Sequence, residues 1–216
     1  MNLDSELRAV SAAAQAKASS EVLATLQAVQ DRLNGSGIAG RALQPGEPLP
    51  DFELPDATGR LVALRDLLAQ GPVLLNFYRG EWCPYCNLAL RALQAYLPHY
   101  RSHGVQLVAV SPEQPDHSLT MAQKHALDFP VLSDAGLAVA RRFGIVFTLD
   151  ERLRPLYQAW GVDLPARNGS DSFELPLPAA FLAGRDGIVR EAFVDADYRR
   201  RLEPDAALGW IIRHFA

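Results

Sequence analysis

The feature that most constrains this chain is the position of its only two cysteines, Cys83 and Cys86, which lie three residues apart. A near-continuous apolar run at residues 73–78 shortly precedes them, and a helical pattern begins at Pro84. A C-x-x-C pair in a βαβ context is typical of redox proteins. The pair therefore predicts a fold in which strands alternate with helices, and a chemistry of thiol oxidation and reduction.

The composition is that of an ordinary globular chain. The 216 residues are 49% hydrophobic and 21% charged, with a net charge of -4. These values exclude intrinsic disorder and argue against nucleic-acid binding, which usually needs a basic surface. No apolar run reaches the roughly 20 residues that cross a bilayer, and residues 1–18 show no secretory signal. We therefore expect a cytoplasmic protein with no nucleic-acid partner and no membrane association.

The N-terminal part of the chain differs from the rest. Apolar residues recur at helical spacing within residues 3–33, which predicts one long helix that ends at residues 34–37. A stretch rich in proline follows, so we assign residues 1–44 to a helical extension and linker and residues 45–216 to the main domain. The apolar stripe of the helix either packs on its own domain or joins two subunits in a homodimer.

The main domain alternates between two kinds of pattern. Strands are predicted at residues 61–63, 73–78, 105–110, 129–132, 179–183 and 188–194. Helices are predicted at residues 65–70, 84–99, 114–127, 135–143 and 203–215. This order, with a closing antiparallel hairpin, predicts an α/β fold in which helices flank a mixed central sheet.

The position of Cys83 favours an ionised sulfur. Unpaired N–H groups of the first helical turn should point at this sulfur, and Pro84 suits the first helical position because it lacks an N–H group. Cys83 is therefore the expected nucleophile. Cys86 lies one turn farther on, within disulfide range and more buried, so it is the expected resolving thiol. Arg79 could stabilise the Cys83 thiolate and Glu81 could oppose it.

Two other interpretations of the pair are weaker. The thiols could be inert members of the core. A zinc site would need four ligands, and the chain offers two cysteines without a histidine pair at finger spacing. We expect no metal and no cofactor.

Three segments carry a resemblance to a known family: residues 77–86, 110–113 and 129–134. They resemble the peroxiredoxin-like branch of the alkyl hydroperoxide reductase/thiol-specific antioxidant family, whose members are thioredoxin-fold redoxins. The resemblance implies a thioredoxin-like domain and places Cys83 at the position that attacks peroxide. The run from Trp82 through Pro84 and Tyr85 to Cys86 is more similar to thioredoxin or glutaredoxin than to a typical peroxiredoxin.

The chain departs from the family pattern at two positions. Gly80 stands where the family has threonine or serine, and Pro178 stands where it has an arginine that helps to bind peroxide. Pro178 also matches the proline that precedes a strand in thioredoxin folds, which implies a cis Leu177–Pro178 bond. Arg201 is similar to a second family arginine that approaches the attacking sulfur, although it could be a plain surface charge.

The implied function is a thiol-dependent peroxidase. Cys83 would reduce hydrogen peroxide or an organic hydroperoxide, Cys86 would resolve the sulfenic acid as a disulfide, and an external dithiol such as thioredoxin or glutathione with glutaredoxin would reduce that disulfide. The alternatives are a general thiol–disulfide oxidoreductase and a non-catalytic redox sensor. Residues 151–174 look like an insertion that either walls the active site or forms a contact surface.

Overall fold

The computed structural model describes residues 2–216 and confirms the mixed α/β fold. The helices are α1 Leu3–Lys17, α2 Ser20–Gly35, α3 Leu64–Gln70, α4 Pro84–Ser102, α5 Pro115–Lys124, α6 Ala138–Arg142, α7 Arg154–Ala159, α8 Leu164–Asn168 and α9 Pro204–Phe215. The strands are β1 Glu53–Pro55, β2 Leu61–Ala63, β3 Val73–Phe77, β4 Gln106–Ser111, β5 Val131–Ser133, β6 Val146–Thr148, β7 Glu174–Pro176, β8 Ala179–Ala183 and β9 Val189–Val194. None of the helices in this part of the chain is long and apolar enough to cross a membrane.

The central sheet has five strands in the order β5-β4-β3-β8-β9. The β3–β4 and β4–β5 pairs are parallel, whereas β3–β8 and β8–β9 are antiparallel. Two small antiparallel ladders, β1–β2 and β6–β7, lie outside this sheet. The expected mixed sheet and closing hairpin are both present, with β3 in the middle.

The core has two main layers, one on each face of the central sheet. Side chains of β3 alternate between them, with Val73, Leu75 and Phe77 in one layer and Leu74 in the other, as the two-residue period of a strand requires. The layer that contains Leu74 also holds the buried faces of α4 and α9. Because β3 is fully buried, the loop at its end is held in place from both faces.

The prediction of a single N-terminal helix is wrong. The chain is extended at Ala18 and Ser19, and the Ser19 side chain accepts a hydrogen bond from the Val22 N–H group at 3.3 Å. A serine that caps a new helix therefore divides α1 from α2. Leu3 and Leu7 of α1 are buried in the core layer of α4 and α9, so α1 packs on its own domain.

The expected cis bond before Pro178 is not found, because residues 2–216 contain no cis peptide bond. The Leu177 N–H group donates to the Ile145 carbonyl at 2.8 Å, and the Pro178 carbonyl accepts from the Asp195 N–H group at 3.3 Å. An extended, trans chain satisfies both hydrogen bonds as it passes from β7 to β8. The prediction is therefore corrected to a trans proline at this position.

Candidate active site

Both cysteines lie at the start of α4, which follows the loop at the end of β3. Cys83 is the residue before the first helical turn, and Pro84 opens that turn as expected. The N–H groups of Cys86 and Asn87 donate to the Cys83 carbonyl oxygen at 3.0 and 3.1 Å, and no N–H group caps its side chain. The sulfur is thus not held by helix N–H groups, contrary to the sequence-based expectation.

The two thiols are free and equally buried. Cys83 and Cys86 are each 0% exposed, so the expected difference in burial between them is wrong. Arg79, which donates to Cys83 Sγ, and Tyr157, which accepts a hydrogen bond from Arg79, are themselves buried and cover Cys83. A substrate can therefore reach the Cys83 sulfur only when some of this cover moves.

Arg79 is the group that sits against the Cys83 sulfur. Its Nη2 donates to Cys83 Sγ at 3.5 Å and its Nη1 donates to the Tyr157 hydroxyl at 3.3 Å. The guanidinium also lies over the rings of Trp82 and Tyr198, 4.9 and 4.6 Å from their centroids. Arg79 is only 4% exposed and, within residues 2–216, forms no ion pair with a carboxylate. Because a buried charge needs a counter-charge, this arrangement favours the Cys83 thiolate.

Arg201 takes a different place from the one expected. Its Nη2 donates to Cys86 Sγ at 3.1 Å, so it contacts the second sulfur rather than the expected attacking one. Its Nη1 donates to the carbonyl oxygens of Tyr198 and Arg200 at 2.6 and 2.7 Å. Each sulfur of the pair therefore has its own guanidinium.

The electrostatics of the pair separate the two thiols. Burial alone would raise the pKa of Cys83, but the hydrogen bond from Cys86 and the charges of Arg79 and Arg201 hold that pKa well below its ordinary value. Burial, the hydrogen bond to Cys83 and the thiolate charge hold the pKa of Cys86 well above its ordinary value. These opposite shifts favour the thiolate at Cys83 and the thiol at Cys86.

Gly80 is required by its surroundings. Its φ of +151° is one that side chains rarely adopt, and a Cβ there would lie 2.7 Å from Trp82 Cδ1 and 2.9 Å from Glu113 Cδ. The family's threonine therefore cannot stand at this position unless Trp82 and Glu113 move. The Trp82 ring occupies space that a side chain at position 80 would need, so glycine at position 80 and tryptophan at position 82 are compatible with each other.

Glu113 fixes the loop between β3 and α4, a role that the sequence did not suggest. Its buried carboxylate accepts from the Glu81 N–H group at 2.7 Å and from Arg167 Nη1 at 3.1 Å. Glu81 does not oppose the thiolate as an isolated charge. Its side chain pairs with Lys124 at 2.7 Å and Arg167 at 3.5 Å, and the hydrogen bond from Lys124 is the main cause of its lowered pKa.

The inserted segment, residues 151–174, forms a wall of the site. Tyr157 of α7 packs on Trp82 with ring centroids 5.3 Å apart, and Arg167 of α8 reaches the loop as described. A cleft of about 1280 Å³ lies between this wall and α2. Six of the residues that line it are Leu26, Val29, Trp82, Tyr85, Tyr157 and Pro178.

The structure brings together most of the residues that the sequence singled out. Arg79 and Trp82 surround Cys83, Arg201 contacts Cys86, and Tyr85 packs edge-on against Tyr198 at 5.5 Å between ring centroids. Pro84 and Pro178 line the cleft. Sequence reasoning gave no individual role to Tyr157, Tyr198, Glu113 or Arg167. It suggested only that residues 151–174, which contain Tyr157 and Arg167, could wall the site.

Comparisons with known proteins relate the chain to thiol-dependent redox proteins. A family model described as AhpC/TSA family matches residues 45–192. Peroxiredoxin Bcp of Escherichia coli (strain K12) is 27% identical over 172 residues, which cover 80% of this chain and 97% of that protein. The thiol-disulfide oxidoreductase ResA of Bacillus thuringiensis (strain Al Hakam) is 26% identical over 162 residues, which cover 74% of this chain and 76% of that protein.

The fold also has solved counterparts. The crystal structure of peroxidoxin BcpB from Mycobacterium tuberculosis superposes with a TM-score of 0.64 at 24% identity, and the match covers 81% of this chain and 99% of that one. The likeness supports a thioredoxin-like fold for the chain.

Proposed function

Because the chain belongs to the AhpC/TSA family, as its sequence led us to expect, we propose that it is a thiol-dependent peroxidase. Cys83 is the nucleophile and Cys86 the resolving thiol. The observation that carries the proposal is the contact of 3.5 Å between the buried Arg79 guanidinium and Cys83 Sγ. This contact favours the thiolate, the form of a cysteine that reacts.

The proposed reaction has three steps. The Cys83 thiolate attacks the O–O bond, an S–O bond forms, and the alkoxide leaves and takes up a proton to give an alcohol. The Cys86 thiolate then attacks the Cys83 sulfenic acid, so that an S–S bond forms and hydroxide leaves to become water. An external dithiol finally reduces the disulfide by exchange and becomes oxidised itself.

The cleft favours organic hydroperoxides over hydrogen peroxide as substrates. It is large for a two-oxygen molecule, and apolar side chains from α2, α7 and the active-site loop dominate its walls. Trp82 lines the cleft and also contacts Arg79. An apolar group bound in the cleft would therefore contact a side chain that packs against the residue covering Cys83. Binding energy from the apolar group is then available to open the site.

The partners in this proposal are a hydroperoxide and a dithiol reductant such as thioredoxin or glutathione with glutaredoxin. A cytoplasmic location fits, since these systems keep thiols reduced there. A homodimer that forms through the N-terminal helices would use the exposed faces of α1 and α2, because Leu3 and Leu7 of α1 and Leu33 of α2 already pack on the domain.

A second candidate function is general thiol–disulfide exchange. It is favoured by Gly80 and Pro178, which replace the two side chains that the family uses to bind peroxide, and by the similarity to ResA. The same nucleophile and the same resolving thiol would serve this reaction. The two activities differ only in the substrate that reaches Cys83.

A direct comparison of substrates tests the proposal. We expect the purified protein, supplied with a thioredoxin system, to turn over cumene hydroperoxide and to reduce insulin disulfides much more slowly. Cys83→Ser should lose the peroxidase activity, and Cys86→Ser should be oxidised once without turning over. Fast insulin reduction with negligible peroxide turnover would instead support the second candidate, and stoichiometric oxidation without cycling would indicate a redox sensor.

A further inference from the structure

The active site contains two guanidiniums for two thiols, and each guanidinium contacts a different sulfur. Arg79 lies against Cys83 at 3.5 Å and Arg201 lies against Cys86 at 3.1 Å. Within residues 2–216 neither arginine forms an ion pair with a carboxylate, whereas neighbouring Arg199 and Arg200 pair with Asp197 and Asp195. Both positive charges are therefore available to the sulfurs.

We propose that Arg201 is a catalytic residue of the resolving thiol: it stabilises the thiolate of Cys86 when that sulfur attacks oxidised Cys83 and when it leaves during reduction. The inference rests on the roles that the proposed function gives to Cys83 and Cys86. It adds a residue that acts on one sulfur of the pair and in one part of the cycle.

The charge of the site supports this division of roles. In the reduced protein the Cys83 thiolate suppresses ionisation of Cys86, since two negative charges would meet in a buried place. Formation of the Cys83 sulfenic acid removes that charge from Cys83. The alkoxide that leaves takes a proton, and the Cys86 thiol beside it can supply that proton. One negative charge has then passed from Cys83 to Cys86, whose sulfur is already in contact with the Arg201 guanidinium.

The later steps keep the same balance. When the Cys86 thiolate forms the S–S bond, the S–O bond breaks and the negative charge departs as hydroxide. When a thiolate of the reductant attacks Cys83 in the disulfide, the S–S bond breaks and Cys86 leaves as a thiolate. A leaving thiol with a lower pKa departs faster, so a cation against Cys86 accelerates this step as well.

Arg201 is better placed than Arg79 to act on Cys86, because Arg201 donates a hydrogen bond to Cys86 Sγ whereas Arg79 donates to Cys83 Sγ. The Arg201 side chain is fixed by two backbone carbonyls, those of Tyr198 and Arg200, which hold its Nη2 toward the sulfur. Arg79 is committed to Cys83 and Tyr157. The charged and titratable groups that face Cys86 are Cys83, Arg79, Arg201, Tyr78 and Tyr157. Burial raises the pKa of both tyrosines, so they stay neutral.

Substitution of Arg201 by methionine tests the proposal. We expect the oxidation of Cys83 by cumene hydroperoxide to change little at neutral pH, since Arg79 still holds the thiolate. The resolving step should slow by about 3- to 60-fold, because loss of a cation within about 4 Å raises the pKa of a thiol by roughly 1–3 units. Each unit reduces the thiolate about tenfold, and the higher nucleophilicity of the remaining thiolate offsets about half of that loss on a logarithmic scale. A sulfenic acid that reacts with dimedone should accumulate, and higher pH should restore the rate. Arg201→Lys, which keeps the charge, should recover part of the loss.

Arg65→Met is the matched control. Its side chain is 71% exposed and pairs with Glu53 at 3.6 Å, away from both sulfurs, so both steps should keep their wild-type rates. Circular dichroism and the unfolding midpoint of each variant show whether it is folded. The proposal is overturned if Arg201→Met slows the oxidation of Cys83 and the resolving step equally, or if it slows neither.

A second measurement separates this proposal from the proposed function. The Cys83–Cys86 disulfide is formed with diamide, and its reduction by dithiothreitol is followed in wild type and in Arg201→Met. Slower reduction of the variant supports the role of Arg201 even if no hydroperoxide is turned over, in which case only the peroxidase proposal fails. Equal rates in this assay contradict the role of Arg201 as a stabiliser of the leaving thiolate.

Discussion

Replacement of Arg79 by methionine is expected to raise the pKa of Cys83 by about 2–3 units. Arg79 Nη2 lies 3.5 Å from Cys83 Sγ. With an effective dielectric constant of about 20, two unit charges at that distance attract by roughly 5 kcal/mol. At about 1.4 kcal/mol for each unit, this corresponds to roughly 3 units of pKa. Arg201 and the hydrogen bond from residue 86 remain, so part of the lowering should survive.

The assay is the ultraviolet absorbance of the thiolate as a function of pH, which needs no reagent to enter the buried site. It is measured in a Cys86→Ser background, where one thiol titrates and the serine hydroxyl can still donate to it. Arg199→Met is the control, because this nearby arginine pairs with Asp197 rather than with a sulfur. A change in the pKa of Cys83 of less than about 0.5 unit in folded Arg79→Met would refute the view that Arg79 is the main counter-charge.

Four further predictions concern the same site. Gly80→Ala should lower the free energy of unfolding by about 2–5 kcal/mol in urea titrations, since backbone strain and a close contact combine, whereas Gly161→Ala, with φ of +76° and open space, should cost less than half as much. The reaction of Cys83 with hydroperoxide should be independent of pH above its lowered pKa and fall about tenfold for each pH unit below it. The stability that ionisation of Cys83 provides should be present above the ordinary thiol pKa and be lost as the pH falls through the lowered value, which unfolding midpoints across pH would show. Leu26→Asp in the cleft should raise KM for cumene hydroperoxide and leave KM for hydrogen peroxide unchanged. Leu61→Asp on the exposed surface should change neither KM value.

Much of the fold could be predicted because its signals are local. The predicted strand at residues 179–183 has the same bounds as β8, and the apolar run at residues 73–78 contains β3. Continuous apolar runs of strand length mark strands that are covered on both faces, and the five residues of each strand are buried as this pattern requires. The cysteines at the start of α4 could be placed for the same reason, from the end of a strand and the proline that follows.

The electrostatics of the site could not be predicted in this way. The Arg79–Tyr157 contact joins residues 78 positions apart, and the Arg201–Cys86 contact joins residues 115 positions apart. Nothing local to either partner specifies such a pairing. The sequence therefore named both arginines but assigned Arg201 to the wrong sulfur, and it gave Tyr157 no role.

The predictions of a single N-terminal helix and of a cis bond before Pro178 failed for different reasons. Ser19 carries a capping signal that the apolar periodicity of residues 3–33 concealed. The cis bond was inferred from a family position, whereas the chain geometry follows from hydrogen bonds with Ile145 and Asp195 on either side. A side-chain cap decided the first outcome, and backbone hydrogen bonds between separate segments decided the second.

The aromatic rings on both sides of Arg79 have a consequence for the oxidised protein. Once the disulfide forms, the sulfur no longer carries a charge, and a buried cation would ordinarily be driven toward water. Trp82 and Tyr198 attract the guanidinium through their electron-rich faces at 4.9 and 4.6 Å, whatever the oxidation state of its neighbour. Each such contact contributes on the order of 0.5–2 kcal/mol. The Arg79 guanidinium therefore stays in the same position throughout the cycle, and it can stabilise the Cys83 thiolate again as soon as the disulfide is reduced.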